Sequence, residues 1–174
     1  MLSADKKNGI MKAMETIIKK IDKNQIDEDA IREAGEILRE GGLVAFPTET
    51  VYGLGANALD EEAAKKTYEA KGRPSDNPLI VHIADLEDLS EITENVPPET
   101  ELLAKHFWPG PLTMIFEKSS LVPYGTTGGL DTVAVRMPSD LIARKLQLLR
   151  WKMWRGQEHH RIRGSRSERR SSSV

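Results

Sequence analysis

Four short apolar runs, Leu43–Phe46, Leu79–Ile83, Leu112–Phe116 and Thr132–Val135, are set among stretches whose apolar residues recur at helical spacing. Runs of four or five such residues suit strands buried in a sheet, and the intervening stretches are long enough to pack back over it. Helices are expected around Ile31, Ala34, Ile37 and Leu38, over Asp60–Ala70, around Leu86, Leu89 and Ile92, and along Leu102, Leu103 and Phe107 as a buried stripe. Asp27 or Asp29 can cap the first and Gly41-Gly42 stop it, while Pro97-Pro98 opens the fourth. Ser139 can cap a last helix carrying Leu141, Ile142, Leu146 and Leu149, and Thr16–Ile21 reads as one more strand. The alternation predicts an α/β fold, a twisted sheet with flanking helices. The long glycine-containing connection around Gly125, Gly128 and Gly129 predicts mixed rather than purely parallel pairing.

A chain of 174 residues suits one domain. No apolar run approaches the roughly 20 residues needed to cross a bilayer, and the first 20 residues lack a continuous apolar segment, so neither a membrane span nor a secretory signal is expected. The absence of cysteine excludes disulfides, thiolate metal sites and cysteine nucleophiles, and a cytoplasmic location is the default. Residues 1–149 carry 17 Lys and Arg against 25 Asp and Glu, whereas residues 150–174 carry 8 against 2. The net charge of −2 thus hides an acidic body and a basic end. The expected organisation is a flexible leader over 1–15, a domain over 16–146 and a disordered Arg/Ser-rich tail over 147–174, with Trp151 and Trp154 near its start.

Two segments carry the chemistry. Pro47–Gly55 follows the first strand with hydroxyls at Thr48 and Thr50 and glycines at Gly53 and Gly55 that let backbone approach a ligand. Lys71-Gly72-Arg73-Pro74-Ser75-Asp76-Asn77-Pro78 follows a helix and aims two cations, one a planar fork suited to phosphate or carboxylate, at one region. Read singly, the first is also a plain Thr/Gly turn and the second a solvated pair at a helix end. His82 alternates with Val81 and Ile83 on a strand and is either an ordinary packed histidine or a ligand. Thr113, Thr132 and Arg136 put polar groups on strands otherwise made of buried types. Walker-A, dinucleotide, zinc-hydrolase and nucleophile-elbow motifs are absent, so any metal is expected to arrive with a nucleotide.

The ordered set Pro47–Gly55, Lys71-Gly72-Arg73-Pro74 with Asn77-Pro78-Leu79, Trp108–Thr113 and Val133–Pro138 closely resembles the YrdC-like threonylcarbamoyl-AMP synthases, over about Thr16 to Leu146. The resemblance implies a YrdC-like α/β fold. It also implies nucleotidyltransferase chemistry, in which L-threonine, bicarbonate and ATP with Mg2+ give threonylcarbamoyl adenylate and pyrophosphate, with no tightly bound cofactor. The product would pass to a tRNA threonylcarbamoyl-transferase complex that makes threonylcarbamoyladenosine. Carried onto this chain, Thr50, His82 and Thr132 would hold L-threonine, Lys71, Arg73, Asn77, Thr113 and Arg136 the nucleotide, and Lys71 and Arg73 would act in the chemistry.

The chain departs from that pattern after Ser139. The Ser-Ala-Asn-x-Ser-Gly motif by which relatives contact the nucleotide is missing, and residues 147–174 resemble a translated wrong frame or an unrelated extension. The fold is accordingly expected to be incomplete at its C-terminal end. Three alternatives stay open: an impaired family fragment, an RNA-binding module that grips phosphates through the basic tail, and a carbamoyl-transfer domain of the hydrogenase-maturation kind.

Overall fold

A computed structural model describes residues 16–49 and 51–149. Helix α1 (Glu28–Arg39) leads into strand β1 (Val44–Phe46), which pairs antiparallel with β2 (Gly53–Gly55). Helix α2 (Glu61–Lys71) then connects to β3 (Ile80–His82). A 3-10 turn (Leu86–Asp88), α3 (Leu89–Ile92) and α4 (Glu99–Phe107) precede β4 (Thr113–Glu117). Helix α5 (Tyr124–Thr127) occupies the glycine-containing connection before β5 (Thr132–Arg136), and residues 141–149 are again helical. The three-stranded sheet has the order β3-β5-β4, with β3 parallel and β4 antiparallel to β5. The sheet is therefore mixed, as its long connections implied.

The capping chemistry explains where the helices begin. Asp27 accepts the backbone N–H groups of Asp29 and Ala30 at the start of α1, and Asp60 accepts those of Glu62 and Ala63 at the start of α2. The last helix is capped by Asp140 rather than Ser139: its Oδ1 accepts the N–H groups of Ile142 and Ala143 at 3.0 and 3.2 Å. Its other oxygen takes Lys23 Nζ at 2.7 Å, so one buried carboxylate both starts the helix and straps the N-terminal segment to it.

Alternation along the strands builds the core. Val81 and Ile83, Met114 and Phe116, and Val133 and Val135 all point to one face of the sheet. There they meet Leu89, Ile92, Ala104, Trp108 and Val122. Each such burial contributes about 1.5–3 kcal/mol relative to exposure. A second, smaller cluster joins Leu38, Phe46, Ala143 and Leu146, fastening the last helix to α1 and β1.

Two expectations fail for physical reasons. Thr16–Ile21 forms no strand; Ile17 and Ile18 are exposed, the segment is irregular, and a turn closed by a bridge between Asp22 and Gln25 follows it. Among the described residues no strand pairs with it to supply the ladder hydrogen bonds that β propensity needs. Helix α4 is rotated from the expected stripe: Leu102, Leu103 and Phe107 are 63%, 41% and 55% exposed, while Thr100 and Ala104 are buried. Of this helix only Ala104 joins the core cluster, and Trp108, one residue beyond it, fills the core position instead.

Asp140→Ala is expected to lower stability by about 1–2 kcal/mol, since it removes a helix cap. Lys23→Ala, which removes only the exposed partner of that carboxylate and leaves the cap in place, should cost less than Asp140→Ala. Urea unfolding of the two variants checks this ordering. In the same assay Phe107→Ser should change stability by no more than about 0.5 kcal/mol, whereas Phe116→Ala should cost about 3–5 kcal/mol.

Candidate functional site

The β1–β2 hairpin, the end of α2 and the start of β3 enclose a cleft of about 370 Å³. Phe46 is its packed base. The ring occupies the space a side chain on β2 would need, since a Cβ on Gly55 would lie 2.6 Å from it. Gly53 and Gly55 therefore make room for the aromatic ring where a side chain would crowd it, and both also line the cleft. On its other edge Phe46 meets His82 in a T-shaped arrangement, with ring centroids 5.8 Å apart, which fixes the imidazole at the cleft wall.

The two cations of the second motif enter from a helix end. Lys71 is the last residue of α2, and Gly72 follows in the left-handed conformation at φ 59°. Gly72 and Arg73 donate their backbone N–H groups to Glu69 and Tyr68 at 3.1 Å, so the chain reverses tightly. Both side chains reach the cleft wall. Although Lys71 is an exposed residue, partial desolvation at the cleft wall first, and the neighbouring Arg73 charge second, pull its pKa below the usual value. Among the described residues neither cation has a carboxylate within ion-pair distance. The loop beyond is held by α5, where the Thr126 carbonyl accepts the Leu79 N–H at 3.0 Å and the Thr126 hydroxyl donates to Ala58 O at 2.7 Å. The glycine-containing connection thus supports the cationic loop.

Arg136 completes the constellation. It ends β5 in register with His82 on one side and Thr113 on the other. Its Nε donates to the Gly110 carbonyl at 3.2 Å, and Gly110 N–H donates to Met137 O at 2.8 Å, so the Trp108–Thr113 motif serves as a brace for this strand end.

Lys71, Arg73, Asn77, His82 and Arg136 all line the same cleft. Thr113 and Thr132 do not. Thr113 sits beside Arg136 across the strand pair, whereas Thr132 lies opposite Glu117 at the other end of β5, about 13 Å away at 3.3 Å per residue. Thr50 lies outside the described residues, as do residues 1–15 and the basic segment 150–174 on which an RNA contact was expected. Thr48 lines the cleft, and its hydroxyl donates to the Val51 carbonyl at 2.5 Å, closing the turn. Val51 and Tyr52 stand exposed at the cleft mouth.

Sequence reasoning passed over two residues. Gln147, beyond the expected domain boundary, is buried against the cleft because it continues the inward face of Ala143 one turn on; that spacing was the available signal. Glu49 binds Arg136 and Ser139, partners 87 and 90 residues away, which no local pattern reveals. Among the described residues no group of three or more His, Cys, Asp or Glu is placed to hold a metal ion, and no helix is long and apolar enough to cross a membrane.

Comparison with known proteins agrees with this arrangement. Residues 36–149 match the Sua5–YciO–YrdC family model, described as telomere recombination. A threonylcarbamoyl-AMP synthase of Pyrococcus abyssi is 63% identical over 124 residues, which is 71% of this chain and 36% of that protein. One from Bacillus subtilis is 50% identical over 137 residues, 78% of this chain and 40% of that protein. The crystal structure of Pyrococcus abyssi Sua5 complexed with L-threonine superposes with a TM-score of 0.71 at 63% identity, over 72% of this chain and 37% of that one. The chain thus spans well under half the length of these relatives, while its five strands and its cleft motifs fall within residues 36–149, and it belongs to the Sua5–YciO–YrdC family.

Proposed function

We propose that this chain carries the L-threonylcarbamoyl-AMP synthase site, joining L-threonine, bicarbonate and ATP into threonylcarbamoyl adenylate with release of pyrophosphate. The observation that supports this most directly is the convergence of Lys71, Arg73, Asn77, His82 and Arg136 on one cleft in a chain 63% identical to a named threonylcarbamoyl-AMP synthase. In this reading the threonine amine adds to the bicarbonate carbon, water leaves, and a carbamate results. A carbamate oxygen then attacks the α-phosphorus, and the bond from that phosphorus to the bridging oxygen of pyrophosphate breaks.

Every reactant after the first step is an anion, so the demand on the protein is to gather and stabilise negative charge rather than to supply a nucleophile. Lys71 and Arg73, unpaired by carboxylates, suit the phosphates, and Arg136 suits a phosphate or the carbamate. His82, with Thr50 from the adjoining turn, suits L-threonine. Asn77 offers an amide to the nucleotide. Mg2+ enters as the MgATP substrate and neutralises charge on the triphosphate. Thr113 acts through its neighbour Arg136, and Thr132 stands too far along β5 to share a small amino acid with His82. The location is cytoplasmic, and the product passes to a complex that modifies tRNA.

Mass-spectrometric detection of threonylcarbamoyl adenylate, with each substrate omitted in turn, tests the reading. Product that requires all three substrates is expected; folded protein that binds L-threonine but forms no adenylate would instead mark a partial site. Lys71→Ala and Arg73→Ala should each lower product formation by about 100-fold or more, as removing a donor to developing negative charge does elsewhere. Their melting temperatures should stay close to that of the parent, because both side chains are exposed in the free cleft.

A further inference from the structure

Glu49 stands in the middle of the Pro47–Gly55 turn, yet it does not wall the cleft that the turn helps to form. Its carboxylate reaches across to the end of β5. Oε1 accepts the Ser139 N–H at 2.5 Å and the Ser139 hydroxyl at 2.8 Å, and Oε2 accepts Arg136 Nη2. Arg136 does wall the cleft and Glu49 does not, so the carboxylate contacts the guanidinium outside the cleft lining. The Gly110 carbonyl holds Nε. A guanidinium has five N–H donors, and these two contacts leave three for a ligand.

Arg136 is part-buried, with 15% side-chain exposure, while Glu49 is an exposed residue whose side chain is 20% exposed, so solvent and salt screen the pair in part. Burial opposes ionisation of Glu49, but the Ser139 hydrogen bonds and then the Arg136 charge outweigh it, and the carboxyl is held below its usual pKa. It is therefore an anion at neutral pH. An internal carboxylate can also compete with a ligand for the same cation. That role requires the carboxylate to move, and it would give up both Ser139 hydrogen bonds together with the Arg136 contact if it swung away.

We propose that Glu49 is a positioning residue that holds the Arg136 guanidinium with its free edge toward the cleft, where it meets a phosphate group of the bound nucleotide. The proposal rests on the functional reading above, in which Arg136 binds an anion. An arginine released from both Glu49 and its orientation would have to lose rotamer freedom on binding, and that cost appears only for ligands that use it.

Calorimetric titration of the full chain with ATP and with adenosine, which shares the base and sugar but lacks phosphate, separates the possibilities. Glu49→Gln keeps the size and an oxygen for Ser139 but turns an amide donor toward Arg136. It is expected to weaken ATP binding about five- to tenfold while leaving adenosine binding within about twofold, and to add nothing in an Arg136→Ala background, as coupled residues behave in a double-mutant cycle. Equal or tighter ATP binding overturns the proposal. So does parallel weakening of both ligands, which is the mark of a merely structural contact, and so does full additivity with Arg136→Ala. Should Glu49→Gln fail to fold, Ser139→Ala decides, because it loosens the carboxylate and keeps its charge; unchanged ATP binding there overturns the proposal. ATP binding that is absent from the parent chain, or indifferent to Arg136→Ala, defeats the functional reading itself and the proposal with it.

Discussion

Parallel pairing of Ile80–His82 with Ala134–Arg136 sets His82 beside Arg136, and the other walls of the cleft depend on that register. The register is secured from the opposite face of the sheet. Val81, Val133 and Val135 are buried there, and a slip of one residue would turn them outward and drive His82 and Arg136 into the apolar core. Several side chains, each worth about 1.5–3 kcal/mol when buried, oppose that slip. The polar site is thus specified by apolar residues that never touch it. The same logic places Thr113 next to Arg136, because β4 is held to β5 through Met114 and Phe116.

Charge is distributed unevenly around the cleft. On the β5 side Arg136 is compensated by Glu49 and braced by Gly110, so its position is settled before any ligand arrives. On the α2 side Lys71 and Arg73 stand close to one another without carboxylate partners among the described residues, and their mutual repulsion adds to the effect of burial on Lys71. Bringing like charges together in this way is unfavourable in the free protein and favourable once an anion lies between them. One wall is preorganised and the other is in want of a counter-charge, an arrangement suited to a ligand carrying phosphates.

Much of this was legible in the sequence, and the particular residues show why. Strand positions from Val44, Ile80, Thr113 and Thr132 onward followed from short apolar runs, and the mixed pairing from the length of the connections. The cationic loop followed from Lys71-Gly72-Arg73 after an acidic-to-basic helix. Errors arose where a local pattern had two physical solutions. Leu103 and Phe107 have the spacing of a buried stripe, but α4 sits at the margin of the sheet and buries the smaller Thr100 and Ala104. Ser139 and Asp140 are both good caps; Asp140 took the helix, and Ser139 was drawn to Glu49. Thr16–Ile21 has strand composition but pairs with no strand among the described residues.

Sequence by itself determined the α/β class, the sites of β1, β3, β4 and β5 though not of β2, the ordered motifs and the cationic character of the cleft, because those depend on local composition and on spacings of a few residues. Tertiary structure alone decided that Glu49 serves Arg136, that Gly55 yields its space to Phe46, that Gln147 faces the cleft, and that Thr132 stands apart from the residues it was grouped with. Those outcomes depend on contacts between residues tens of positions apart and on where along a strand a side chain falls. Such distances are set when the sheet closes its register and the core packs against it, which no single segment encodes.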